Sequence, residues 1–362
     1  MNKTPLIHIA KKSEVSFATK LLVRAAAIVL GILVVLLFIN ATAGVDPLTG
    51  FFYLWEGAFG NSIYLEDTLF TTAKLLCIAV ALAPAFKMRC WNCGAEGQVL
   101  AGGLATAIVM VYGANLPAPV LYILMFAAAI VTAGLWGFIP AFFKVKMGVN
   151  ETLFTLMMNY VAIQFVDFFY NTWKGDASSL GKLNKASKSG YLPDLFGKSE
   201  NWLILSVILL TVGVYFYLIK TKAGYEISVV GESERTANYA GIDVAKVTIK
   251  TMILSGAICG ICGFMTVSGR DHSIASTTTA GGFGFTAIIV AWLAKFNTGI
   301  MALISLFLVF LERGTANVAN RCANFDNSAS KIVIGIMLFL FIGSEFFLNY
   351  RIVFANKKKE GR

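Results

Sequence analysis

The sequence predicts an all-α integral membrane protein of about ten transmembrane helices, some broken or re-entrant, with both termini in the cytoplasm. Composition, the length of the apolar runs and the placement of lysine and arginine carry that expectation. Hydrophobic residues fill 57% of the 362 positions and charged residues 14%. The mean hydropathy of +0.72 exceeds what a water-exposed surface carries. A helix needs roughly 17 to 25 mostly apolar residues to cross ~30 Å of hydrocarbon.

Taken in order, residues 1–20 form a polar tail without a clear small-residue cleavage site, so the first apolar run, 21–41, is expected to stay as a helix. Further runs occupy 68–86, 97–113, 119–143, 152–170, 202–219, 247–268 and 331–350. Two shorter ones, 284–296 and 300–311, have the length of re-entrant segments or of helices buried behind others. No linker rich in Pro, Ser or Gly divides the chain, and 21–350 is expected to be a single membrane domain followed by a basic tail at 351–362.

Charge orients these runs. The segment 42–67 holds Asp46, Glu56, Glu66 and Asp67 with no lysine or arginine, while Lys3, Lys11, Lys12, Lys20 and Arg24 precede or open the first run. The positive-inside rule then places the N-terminus in the cytoplasm, and ten crossings return the C-terminus, with Arg351, Lys357, Lys358, Lys359 and Arg362, to the same side. Lys144 and Lys146 agree. The loop 171–201 falls outside although it carries Lys174, Lys182, Lys185, Lys188 and Lys198. The net charge of +10 thus reads as topology and attraction to anionic lipid, with no nucleic-acid partner.

Between two apolar runs, on the expected cytoplasmic side, lies a polar island within the loop 220–247. Ser233 is placed to cap a short helix there, in which Glu234, Arg235, Asn238 and Asp243 interrupt a stripe of Ala237, Tyr239, Ala240 and Ile242. A capped amphipathic helix kept in a membrane-protein loop has the design of a docking surface.

Two glycine-rich polar breaks recur, residues 92–98 (NCGAEGQ) and 278–286 (TTAGGFGFT), each followed by an apolar run. Such interruptions in two halves point to broken helices around a midplane binding site, and their placement predicts an inverted repeat. Asn92, Glu96 and Gln98 are the polar groups hardest to reconcile with lipid. They either line a solute path or, in the case of Glu96, cap the helix that it opens. At about 1.5 Å per residue, Asn159 lies about 13 Å into its run, near mid-bilayer. The pairs Cys90/Cys93 and Cys259/Cys262 lie far apart in sequence without histidines, which favours packing over metal or redox chemistry, and His272 has no second ligand at useful spacing. Neither a phosphate-binding loop, an H-E-x-x-H motif nor a G-x-S-x-G elbow is present, so an enzyme is not expected.

These residues resemble a known family. Residues 91–98 (WNCGAEGQ) are similar to the F-N-[IV]-G-x-E-G-Q element of ABC-importer permeases for nucleosides and simple sugars, a group that includes ribose-type and riboflavin permeases. Residues 148–160, 224–242 and 284–291 resemble three further elements of that family in the same order. Trp91 stands in place of the usual Phe, Ser228 in place of Arg or Ala, and residues 292–298 (WLAKFNT) in place of a Leu-Gly with Asn-Pro. The resemblance implies a multi-pass permease of the bacterial plasma membrane that moves a nucleoside or related sugar by alternating access. It further implies a separate ABC ATPase that holds ATP-Mg, a second permease subunit of a different chain, an external substrate-binding lipoprotein, and no cofactor on this chain. Asn92, Glu96, Gln98, Asn159, Phe285 and Thr286 then belong to the substrate path. Gly231, Glu232, Arg235, Ala237, Tyr239, Ala240, Gly241 and Ile242 form the coupling helix that docks on the ATPase. An ion-coupled secondary transporter, or an importer for ribose or riboflavin, is the alternative.

Overall fold

The computed structural model describes residues 7–11 and 16–354. Lys3 and Lys12 of the N-terminal tail, and Lys357, Lys358, Lys359 and Arg362 of the C-terminal tail, lie outside the described residues. Helices dominate in chain order: α1 (Phe17–Ala43), α2 (Pro47–Phe59), α3 (Ser62–Lys87), α4 (Ala95–Tyr112), α5 (Ala118–Met147), α6 (Glu151–Lys174), α7 (Asn201–Lys220), α8 (Lys222–Glu232), α9 (Glu234–Tyr239), α10 (Val244–Thr266), α11 (Phe283–Leu293), α12 (Thr298–Arg321) and α13 (Asn327–Asn349). Among the described residues nine helices are long and apolar enough to span a bilayer, and α11 is a shorter apolar helix. At 11 residues α11 reaches only about half way across.

Most helix starts are capped by their own sequence. Asp46, Asn150, Thr221, Asp243 and Asp326 each accept a hydrogen bond from a backbone N–H two or three residues into the helix that follows.

The chain forms two compact units, one of residues 1–65 and 308–362, the other of 66–307. In the first, β1 (Ile7–Lys11) and β2 (Tyr350–Phe354) pair antiparallel, with Ile7 opposite Phe354 and Lys11 opposite Tyr350. This ribbon joins the segments that lead into α1 and out of α13. Arg24 on α1 pairs with Glu345 on α13 at 3.4 Å. Val35, Leu36, Ile39, Leu54, Val318 and Val333 form the core of this unit.

Two departures from the sequence reading fall here. The segment 42–67 contains the helix α2, started by Asp46 and Pro47. The run read as 300–311 continues to Arg321, because the polar end of α12 is satisfied by α2: Asn317 Nδ2 donates to the Tyr53 carbonyl at 2.8 Å and Arg321 pairs with Glu56 at 2.6 Å.

In the second unit, α4, α5 and α10 approach closely along small residues. A Cβ on Gly260 would lie 2.5 Å from the Ala129 carbonyl oxygen, and one on Gly102 would lie 2.6 Å from the Gly260 Cα. The cysteines join this packing. Cys77, Cys259 and Cys262 are fully buried, all six thiols are free, and no group that could hold a metal occurs among the described residues. Burial pushes the Cys90 thiol up to about 11, so it stays protonated and unreactive.

The loop 171–201 is pinned at many points. Leu183 N–H donates to the His272 carbonyl at 2.7 Å, Asn184 Nδ2 to the Met110 carbonyl at 2.6 Å, and Tyr191 stacks on His272 at 3.7 Å. Lys198 pairs with Glu66, and Asp67 pairs with Arg270 at 2.5 Å, so the lysine-rich loop and the end of the acidic segment share one face. Burial, followed by the charge of Lys182, holds His272 down at about 4, which keeps it neutral at physiological pH.

Candidate functional site

The starts of α4 and α11 have no cap at their own N-cap residue, Gly94 or Gly282. The orphan N–H groups are satisfied from elsewhere in the chain, and that exchange builds the site.

Asn92 is completely buried. Its Oδ1 accepts from Gly94 N–H at 3.1 Å and from Gln98 Nε2 at 3.2 Å, while its Nδ2 donates to Gln98 Oε1 at 3.1 Å and to Ser255 Oγ on α10 at 2.9 Å. Asn159, 3% exposed, bridges α6 to the same break: its Oδ1 accepts from Gly97 N–H at 2.8 Å and its Nδ2 donates to the Cys93 carbonyl at 2.9 Å. Thr155 accepts from Cys93 N–H at 3.1 Å. Glu151, paired with Lys144 at 2.8 Å, accepts from Trp91 N–H at 3.4 Å. Every polar atom of the two asparagine side chains that faces the break is used.

Glu96 corrects the simple capping expectation. It sits in the first turn of α4, yet its carboxylate accepts from Gly282 N–H at 2.8 Å and Gly284 N–H at 2.7 Å, so it caps α11, the helix after the other break. The backbones touch: a Cβ on Gly284 would lie 2.5 Å from the Glu96 nitrogen.

Lys74 on α3 joins this junction, although neither break points to it. It is 6% exposed, its Nζ donates to the Thr278 carbonyl at 2.6 Å and lies 5.5 Å from the Phe283 ring centroid, and its charge acts on Glu96. Ser276 donates to Asp167 at 2.6 Å. Three polar side chains from α3, α4 and α6 therefore hold the segment that leads into α11. A lysine amid the apolar run 68–86 was the available signal.

Phe285 and Thr286 sit apart from this buried network. Phe285 is 50% exposed and Thr286 partly exposed, on the outer face of α11. Trp91 stacks on Trp292 with ring centroids 5.2 Å apart, so two departures from the family pattern contact each other.

The polar island is two helices, α8 and α9, separated at Ser233. Ser233 caps α9 as expected, accepting from Thr236 N–H at 3.3 Å. The expected stripe is not one face. Ala237 is buried whereas Tyr239 is 93% exposed, with Glu232, Arg235, Ala240 and Gly241 exposed beside it and Ile242 partly so. Gly231 is buried against the end of α3, where a Cβ would collide with the Lys87 carbonyl. Gly241, at φ +76, makes the turn after α9.

Asn159→Ala tests the break directly. It leaves Gly97 N–H and the Cys93 carbonyl unpaired in a buried site, at about 1–3 kcal/mol for such a group. The thermal midpoint of the purified chain, followed in detergent, is expected to fall by several degrees; an unchanged midpoint would show that the bridge bears no strain.

A bundle of apolar spans with two helix starts meeting inside the unit has the architecture of a multi-pass membrane protein. The chain belongs to the family of branched-chain amino acid transport system / permease components, whose pattern matches residues 64–342. It is 32% identical over 347 residues to a guanosine ABC transporter permease of Bacillus subtilis, covering 94% of this chain and 97% of the relative. It is 28% identical to a glucose ABC transporter permease of Haloferax volcanii, over 86% and 84% of the two chains, and 28% identical to a nucleoside ABC transporter permease of Lactococcus lactis, over 83% and 85%. The protein is thus a permease subunit of an ABC importer in the plasma membrane and not an enzyme. Importers of this kind work with a separate ATPase and a substrate-binding partner.

Proposed function

We propose that this permease moves nucleosides, with a purine nucleoside such as guanosine the first solute to try. The near end-to-end match to a guanosine permease carries the reading, and the nucleoside permease of Lactococcus lactis supports it. The solute passes the outer face of α11, where Phe285 offers a ring to a base and Thr286 a hydroxyl to a sugar. Asn92, Glu96, Gln98 and Asn159 set the position of that face from behind. A second permease chain, expected to differ from this one, completes the path, and an external lipoprotein supplies the solute.

The termini and the α8–α9 segment face the cytoplasm, and the loop 171–201 faces outward. The shared side of β1 and β2, and the Lys198–Glu66 pair, fit that arrangement. Glu232, Arg235, Tyr239, Ala240 and Gly241 contact the ATPase, while Gly231 and Ala237 fasten the segment to the permease. ATP-Mg stays on the ATPase.

Uptake of labelled guanosine by cells that lack their own nucleoside permeases and express the complete importer tests the solute. Unlabelled uridine in excess is expected to compete and glucose or riboflavin not to; no uptake of labelled guanosine while labelled glucose enters would reassign the solute to a sugar. For coupling, Tyr239→Ala is expected to lower uptake tenfold or more with an unchanged thermal midpoint, since a central exposed aromatic is the usual anchor of such a contact. Wild-type uptake in that variant would remove Tyr239 from the interface.

A further inference from the structure

Helix α6 carries an amide where hydrocarbon would leave it unpaired. Gln164 lies about 20 Å into this 24-residue helix, near mid-bilayer. Its side chain is exposed and makes no hydrogen bond among the described residues. A primary amide set in lipid without a partner is costly, so this stripe of α6 faces something polar. Tyr160 and Phe168 stand one turn before and one turn after it, 66% and 64% exposed. With Val161, Gln164 and Phe165 they border a groove of about 560 Å³. Phe165 is held edge-on by Trp136 of α5, with ring centroids 6.2 Å apart.

We propose that this groove seats the base of the transported nucleoside, with Gln164 pairing with the base edge and Tyr160 and Phe168 offering their rings to its face. The assignment rests on the nucleoside reading and adds to it the residues that recognise the base. An amide presents a donor and an acceptor side by side, as the edges of guanine and uracil do, and aromatic rings stack on either base.

A second membrane helix matches the groove less well. Close helix pairs in this chain meet along small residues, as α4, α5 and α10 do at Gly102, Ala129 and Gly260, whereas all five residues that border the groove are large. The same helix also holds both breaks. Asn159 bonds to Cys93 and Gly97, and Asp167, nearly one turn beyond Gln164, accepts from Ser276 in the segment that leads into α11. A base bound at Gln164 thus bears on the helix to which α4 and the lead into α11 are tied.

The complete importer in proteoliposomes tests the site. Gln164→Leu is expected to lower guanosine uptake at least tenfold with an unchanged thermal midpoint and unchanged recovery of the second permease. Phe216→Leu, at an exposed position of α7 outside the groove, is expected to transport as wild type. A water-soluble methanethiosulfonate is expected to modify Gln164→Cys above the background of the chain's own six thiols, and guanosine to slow that reaction at least threefold. Wild-type uptake in Gln164→Leu, or modification of Gln164→Cys that is absent or indifferent to guanosine, would overturn the base site. Loss of the second permease from Gln164→Leu preparations would reassign this face of α6 to a subunit contact. A wild-type importer that carries glucose and no guanosine would overturn the nucleoside reading itself, a result obtained before any variant is compared.

Discussion

Replacing Glu96 with alanine is expected to abolish uptake and to cost the chain several degrees of thermal stability. The carboxylate is 5% exposed and takes both the Gly282 and Gly284 N–H groups, so its loss strands two donors at the start of α11. Leaving buried donors unpaired costs about 1–3 kcal/mol for each such group. Glu96→Gln separates shape from charge: it retains one acceptor but turns an amide N–H₂ toward a backbone N–H, and an intermediate loss is expected. Thermal midpoints and uptake measured together on both variants decide the point. Normal uptake in Glu96→Ala would show that α11 needs no cap from α4.

The second large effect is steric. In Gly284→Ala the new methyl would meet the Glu96 nitrogen at 2.5 Å and Cβ at 2.7 Å, and main-chain atoms of a helix start have little room to retreat. Overpacking of this kind costs about 1–3 kcal/mol and displaces α11. Uptake is expected to fall at least tenfold in cells that carry the variant at wild-type levels. Gly335→Ala, at a helix position with nothing within 4 Å, serves as the control and should leave both stability and uptake unchanged. If Gly284→Ala transported normally, close contact between the two helix starts would be unnecessary for the cycle.

Much of this architecture was legible because hydrocarbon imposes a length and a polarity on every span. Each predicted apolar run overlaps a helix, although the run 284–296 extends three residues beyond the end of α11 into a turn. What escaped is polar structure whose partners come from distant sequence. The end of α12 looks unsuited to a membrane until Tyr53 and Glu56 on α2 are beside it, and α2 itself was announced only by Asp46 and Pro47. At the junction, Asn92, Glu96, Gln98 and Asn159 stood out as polar groups in apolar surroundings. Their partners Ser255, Gly282 and Gly284 did not, because periodicity carries no information about long-range contacts. The coupling segment shows the same limit: its cap was readable from Ser233, but the burial of Gly231 and Ala237 depends on elements elsewhere in the fold.

Transport in proteoliposomes that contain this chain with its ATPase, its second permease and the external binding protein tests the central claim most directly. With ATP inside and labelled guanosine outside, in the absence of any ion gradient, accumulation is expected, and Tyr239→Ala should lower it tenfold or more. Accumulation driven by a proton or sodium gradient without ATP, or failure to accumulate any nucleoside while glucose enters, would contradict it.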